Sequence, residues 1–148
     1  LDLLGEDQVV NREQWHNRVY KWQAPSRDTD FYNRFHWVMY YKWISNANVL
    51  INNINDAEGS NDDKNIVLGQ ALTYRAFCHY QLVQIYASRY NADGNNTQLG
   101  IPYKKSEKVE SLPRNTVEEV YTEINNDLDA AIVALENYNR INKSNIKQ

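Results

Sequence analysis

The sequence lacks the cysteine pairs, the metal-ligand spacings and the uninterrupted basic clusters that build disulfides, metal sites and nucleic-acid surfaces. Its one cysteine, Cys78, excludes an internal disulfide, and the neighbouring His79 has no further ligands at zinc-site spacing. The formal net charge is −3, and the basic cluster of Lys104, Lys105 and Lys108 is interrupted by glutamates. A phosphate backbone needs clustered positive charge. We therefore expect no metal and no nucleic-acid partner.

The motifs of common enzymes and of membrane-spanning helices are also missing. There is no Gly-x-Ser-x-Gly turn and no glycine-rich phosphate loop. The acidic neighbours Glu118 and Glu119, and Asp127 with Asp129, fit a capped, solvated helix better than an acid–base pair. No apolar run approaches the roughly 20 residues of a membrane-spanning helix. We predict a protein without catalysis or a cofactor.

What the sequence does contain is helical periodicity between clear breaks. Three prolines and five glycines separate the periodic segments. Apolar side chains recur at helical spacing over about 30–55, 63–90 and 116–138. The segment 56–63 has the small and capping residues of a turn between helices, and 91–115 holds too many breakers for a helix. A shorter helix is plausible around 13–21.

The start of the third helix carries a specific signal. Thr116-Val117-Glu118-Glu119 is a capping box, in which the Thr116 hydroxyl accepts from the Glu119 amide and the Glu119 carboxylate accepts from the Thr116 amide. From there Val120, Ile124, Leu128, Ala131 and Leu135 are predicted to form the apolar stripe.

The fold predicted is all-α, with tetratricopeptide-like helical hairpin repeats. Two paired helices and a third resemble one and a half units of a helix-turn-helix repeat, and such units bury their apolar faces on neighbours. An unpaired third helix would expose its stripe. We therefore expect residues 1–148 to be a single helical domain that forms part of a longer chain.

Polar residues on the apolar stripes need partners. Arg75 lies midway along the stripe of the second helix, and Asp127 occupies the matching flank of the third, so one hypothesis is a buried ion pair. The alternative is an Arg75 side chain whose stem covers the core and whose head reaches water. Asn48, on the inner face of the first helix, is expected to bond backbone there. His79 is expected to be a satisfied core histidine.

Four motifs in a fixed order resemble those of the SusD/RagB family. They are Trp37–Asn48, with a tryptophan, tyrosines and an Ala-Asn pair; Gly69–Val83, with Arg75-Ala76 before an aromatic run; Leu99–Tyr103, a glycine-proline loop; and Arg114–Tyr121, which continues to Asp127-Leu128 and Ala131. Departures from the family pattern are Gly69, Thr73 and the long insertion 91–99.

The resemblance implies an outer-membrane lipoprotein of Bacteroidetes-type bacteria that captures glycans or other nutrients. Its partner would be a SusC-like TonB-dependent transporter, to which it delivers the ligand at the extracellular face. The lipidated cysteine that anchors such proteins, and the C-terminal half that supplies much of the ligand site, are not in this chain. The chain would be the N-terminal, tetratricopeptide-like portion.

The candidate ligand contacts are Trp22, Arg27, Asp30 and Tyr32. Aromatic faces cover the C–H side of a sugar ring, while Asn, Asp and Arg pair with its hydroxyls, and this segment looks irregular and so exposed. Trp22 and Tyr32 could instead pack as core around the first helix. The competing function is a tetratricopeptide-type module that holds a peptide on a concave helix face.

Overall fold

The computed structural model of the protein describes residues 17, 21 and 31–138. The chain divides into two compact units, Leu1–Met39 and Tyr40–Gln148. In the first unit, the Lys21 amide donates to the Asn17 carbonyl at 2.9 Å, while the rest of the helix predicted around 13–21 lies outside the described residues. The packing discussed below belongs to residues 40–138.

Three long helices make up the described chain, as the all-α prediction required. Helix α1 is Phe31–Asn53, followed by a 3-10 turn at Ile54–Asp56; helix α2 is Asn61–Tyr86 and helix α3 is Val117–Ala134. No strand occurs in residues 31–138, where Leu99 and Thr116 form an isolated antiparallel bridge. None of these helices combines the length and apolar character needed to cross a membrane.

The helix ends follow from local chemistry. At the start of α2, the Ser60 hydroxyl accepts from the Asp63 amide at 3.1 Å, and Gly59 before it has a φ of +143°, which side chains rarely allow. At α3 the predicted capping box is confirmed, with Thr116 and Glu119 bonded reciprocally at 2.8 and 3.2 Å. The prediction that α2 reaches residue 90 is wrong, because Ala87 is already extended.

The core lies where α2 meets α3, part of α1 and the segment after Gly100. Its buried apolar residues include Ile44, Ala47, Leu72, Ala76, Leu82, Val83, Ile101, Val117, Val120, Ile124 and Ala131. Helical spacing predicts Leu50, Tyr80 and Leu128 on the apolar faces of α1, α2 and α3, but each of the three is at least 36% exposed, so this part of the prediction is wrong. On α3 the buried position is Asp127 rather than Leu128, because the carboxylate pairs with a buried arginine, whereas the predicted positions Val120, Ile124 and Ala131 are buried.

The connection from α2 to α3 returns along the helices as an extended segment. The Gly100 amide donates to the Asn115 carbonyl at 2.7 Å, and the Asn115 amide donates back to Ile101. A Cβ at Gly100 would lie 3.1 Å from the carbonyl oxygens of Asn115 and Thr116. Glycine therefore lets the two backbones approach here, which gives a physical reason for the glycine of the Leu99–Tyr103 motif.

Gly69 is explained by a second close approach. A Cβ there would lie 2.5 Å from the Leu135 Cγ, just beyond the end of α3. The side chain of Leu135 thus occupies the space that an alanine or glutamate would need on α2. At Thr73, the other departure on α2, the hydroxyl donates to the Gly69 carbonyl at 2.8 Å.

We predict that Gly69→Ala destabilises the protein by about 1 kcal/mol. Overpacking against Leu135 costs about 1–3 kcal/mol, which outweighs the gain of about 1 kcal/mol in helix propensity. In a Leu135→Ala background the clash disappears, so the same substitution should be neutral or stabilising. Urea unfolding of the wild type, the two single variants and the double variant measures both effects. A stabilising Gly69→Ala in the native background would contradict the close approach.

Candidate functional site

The most polar part of the interior is an ion pair between α2 and α3. The Arg75 Nε donates to Asp127 Oδ2 at 2.7 Å, and Arg75 Nη2 donates to Asp127 Oδ1 at 2.6 Å. Both residues are 5% exposed. The hypothesis of a buried pair therefore describes the geometry, whereas the alternative with a solvated guanidinium does not. Burial opposes the charged guanidinium, yet the hydrogen bonds and charge of Asp127 raise the pKa of Arg75.

Two further side chains complete the hydrogen bonding of this pair. Asn48 of α1 accepts from Arg75 Nη1 at 2.8 Å, and its own amide donates to the carbonyls of Lys104 and Ser106 at 3.1 Å each. The Tyr103 hydroxyl donates to Asp127 Oδ2 at 2.6 Å. Asn48 thus bonds the backbone of the connecting segment as well as a side chain on α2. We call Asn48, Arg75, His79, Tyr103 and Asp127 the buried polar cluster.

His79 is held neutral in this cluster. Its Nε2 lies 3.1 Å from the Lys104 amide, which can only donate, so Nδ1 carries the proton and donates to the Arg75 carbonyl at 3.0 Å. The imidazole stacks on the Tyr103 ring with 3.8 Å between centroids. Burial, helped by the nearby Arg75 charge, lowers the pKa of His79 to about 3. His79 is a satisfied core histidine.

The cluster offers no reactive group to a ligand. Among the described residues, every buried side-chain nitrogen and oxygen has a hydrogen-bond partner. Cys78, next to the cluster in sequence, is fully buried, and burial raises the pKa of its thiol to about 11, so it stays protonated. Residues 31–138 also contain no group of three side chains that could hold a metal ion. The buried polar cluster therefore fits a role in holding the helices together.

The predicted ligand contacts cannot be placed together. Trp22, Arg27 and Asp30 lie outside the described residues. Tyr32 falls in the first turn of α1, but its side chain also lies outside what the structure describes. Their role remains a prediction.

An open groove between α1 and α2 is the candidate site that sequence reasoning missed. From α1 it is lined by Trp43, Asn46, Ala47 and Leu50. From α2 it is lined by Val67, Gln70, Ala71 and Tyr74. Its volume is about 310 Å³. We call it the aromatic groove. The i, i+3, i+4, i+7 spacing of both walls is visible in the sequence, but the same spacing predicts Trp43 and Leu50 as core residues.

The aromatic groove has three zones along its length. The Trp43 and Tyr74 rings lie at one end, with centroids 6.0 Å apart and planes tilted by 52°. Because the two helices form a hairpin, Leu50 and Val67 lie at the other end, and the exposed amides of Asn46 and Gln70 lie between. Ala47 and Ala71 are buried at 4% exposure and leave the groove its depth. Rings and amides can stack on and hydrogen-bond a neutral ligand.

Comparison with known proteins places this helical fold in one class. A family model described as "Starch-binding associating with outer membrane" matches residues 3–146. A crystal structure of a SusD-like carbohydrate binding protein from Bacteroides vulgatus is similar, with a TM-score of 0.78 and 28% sequence identity. The match covers 96% of this chain and 30% of that one. No curated protein matches the chain significantly.

The chain belongs to the SusD-like family. The resemblance read from the four motifs is thereby confirmed, and so is the all-α, SusD-like helical fold. The chain spans less than a third of the length of the structure it matches.

We predict that breaking the Arg75–Asp127 ion pair greatly lowers the free energy of unfolding. Asp127→Asn keeps the size of the side chain but leaves the Arg75 charge buried without a counter-charge, which costs about 3–5 kcal/mol. Asp129→Asn removes an exposed carboxylate on the same helix and should change the free energy of unfolding by less than about 0.5 kcal/mol. Chemical denaturation measures both. Equal effects of the two variants would show that the pair does not stabilise the fold.

We predict that His79 makes the stability of the protein depend on pH. Its folded-state pKa near 3 lies below the ordinary value of 6.5, so the unfolded chain binds more protons between these limits. The contribution of His79 to the free energy of unfolding is fully present above pH 6.5. Between pH 6.5 and pH 3 it falls by up to about 1.4 kcal/mol per pH unit.

The comparison of wild type with His79→Gln isolates this contribution from that of the carboxylates. Unfolding free energies at several pH values between 7 and 4 should converge as the pH falls, because only the wild type gains the proton-linked penalty. A constant difference across this range would contradict a neutral, buried His79.

Proposed function

We propose that this chain is part of a non-catalytic carbohydrate-binding protein at the outer-membrane surface. The observation that carries the proposal is the 0.78 TM-score, at 28% identity and over 96% of this chain, to a SusD-like carbohydrate binding protein. The family description, starch-binding and associating with the outer membrane, agrees with it. No described feature favours the alternative of a peptide-holding tetratricopeptide module.

The protein would be lipid-anchored, face the outside of the cell, and deliver its glycan to a SusC-like TonB-dependent transporter. A binding role without chemistry is supported by the protonated, fully buried Cys78 thiol and by the complete hydrogen bonding of the buried polar cluster. Such a protein needs a stable scaffold and exposed contact side chains.

The first test is whether the protein in its natural full length binds carbohydrate. Calorimetric titration with maltoheptaose, xylohexaose and mannohexaose should give saturable binding to at least one of them, without release of shorter sugars on prolonged incubation. The absence of binding to every oligosaccharide would contradict the proposed function. The appearance of cleavage products would contradict its non-catalytic part.

The second test addresses the segment Trp22 to Tyr32, with Arg27 and Asp30. Trp22→Ala should weaken binding of the best oligosaccharide by about fivefold or more, because loss of one aromatic anchor costs more than about 1 kcal/mol. Phe35→Ala is the control, since Phe35 is an aromatic residue of α1 that is 47% exposed. An unchanged affinity of Trp22→Ala would exclude this residue as a contact.

A further inference from the structure

The aromatic groove is separate from the Trp22 to Tyr32 segment in sequence and belongs to the second compact unit. We propose that it is a carbohydrate contact site, in which a sugar ring stacks at Trp43 and Tyr74 and its hydroxyls bond the amides of Asn46 and Gln70. This inference rests on the proposed function and assigns a part of it to named residues.

The two walls of the aromatic groove are electrically neutral. The eight lining residues include no charged side chain. A neutral groove favours a neutral ligand, because a bound ion would have no counter-charge in it. The groove also lacks the alternating acidic and basic groups that would hold a charged peptide. A neutral polyol with an apolar ring face matches both the rings and the amides.

The two amide side chains of the groove are available to a ligand. Asn46 and Gln70 are exposed, and within the described part of the chain neither side chain is engaged by another residue. Other amides near α1 are occupied: Asn48 binds Arg75, and Asn52 binds the Glu107 carboxylate at 2.7 Å. The two groove amides therefore keep donors and acceptors for hydroxyl groups, each of which both donates and accepts.

The two aromatic rings lie side by side at one end of the groove. Tyr74 is 49% exposed, and the Trp43 ring beside it makes an edge contact with the Tyr40 ring, with 5.6 Å between centroids. Because this contact restricts the Trp43 ring, less side-chain freedom is lost when a ligand binds. The small side chains of Ala47 and Ala71 leave room next to the rings, and the groove volume of about 310 Å³ lies at the lower end of the range for ligand sites.

The experiment uses the natural full-length protein and whichever of the three oligosaccharides it binds best. Trp43→Ala and Tyr74→Ala should each weaken binding by about fivefold or more, while Tyr74→Phe, which keeps the ring, should retain most of the affinity. Phe77→Ala is the matched control: Phe77 is on the same helix, is 48% exposed and does not line the groove. Its affinity should stay within about twofold of wild type, because a residue outside the contact contributes little.

Two more variants keep the test decisive if loss of an aromatic ring affects folding. Gln70→Ala changes only an exposed side chain and should weaken binding by about twofold to tenfold, the range for one lost hydrogen bond. Ala71→Leu should reduce affinity by filling the groove without removing any contact group. Thermal unfolding of each variant shows that the fold is retained.

The outcomes separate the inference from the proposed function. If the wild type binds an oligosaccharide and all groove variants bind it equally well, the groove is not a carbohydrate site and the proposed function stands. Loss of stability without loss of affinity would identify the groove as a packing or peptide-docking surface and would also overturn the inference. If the wild type binds none of the oligosaccharides, both proposals fail.

Discussion

A buried guanidinium determines how the three helices are arranged. Arg75 is removed from water in the middle of α2, so its charge and its donors must be matched by groups that come from elsewhere in the chain. Asp127 supplies the charge from α3 and Asn48 supplies an acceptor from α1. Because these bonds are directional, they fix the rotation of both helices about α2. Apolar packing alone tolerates more variation than this.

The same constraint extends to the chain between α2 and α3. Tyr103 reaches Asp127 with its hydroxyl, and the Lys104 amide reaches His79, so two consecutive residues of this connection bond to different helices. Asn48 binds the connection from the α1 side through the carbonyl of Lys104. An irregular segment is thereby tied by hydrogen bonds to buried side chains of all three helices.

The sequence was informative wherever the signal was local or where burial demanded a partner. The capping box at Thr116 could be read directly, and the position of Arg75 on an apolar stripe required a carboxylate. Tyr103 and the Lys104 amide could not be found in this way, because their partners are 24 and 25 residues distant through a segment without periodicity. The aromatic groove was missed because Trp43 and Leu50 satisfy the helical period equally well as core or as an open wall.

The polar cluster and the groove occupy different faces of α1. Asn48 points toward Arg75 and the connecting segment, whereas Trp43, Asn46 and Leu50 line the groove. Side chains one or two positions apart on a helix point in different directions, so a single helix serves both purposes.

The lack of a side chain at Gly100 affects a buried charge elsewhere in the protein. It has no polar side chain and lies outside the buried polar cluster, yet its missing Cβ lets the connection lie against Asn115 and Thr116. Three residues later the same connection places a hydroxyl on the Asp127 carboxylate. A methyl group at position 100 would therefore displace the backbone that carries Tyr103. The Asp127 carboxylate would then lose the hydroxyl that is its third hydrogen-bond donor, although position 100 does not touch the carboxylate.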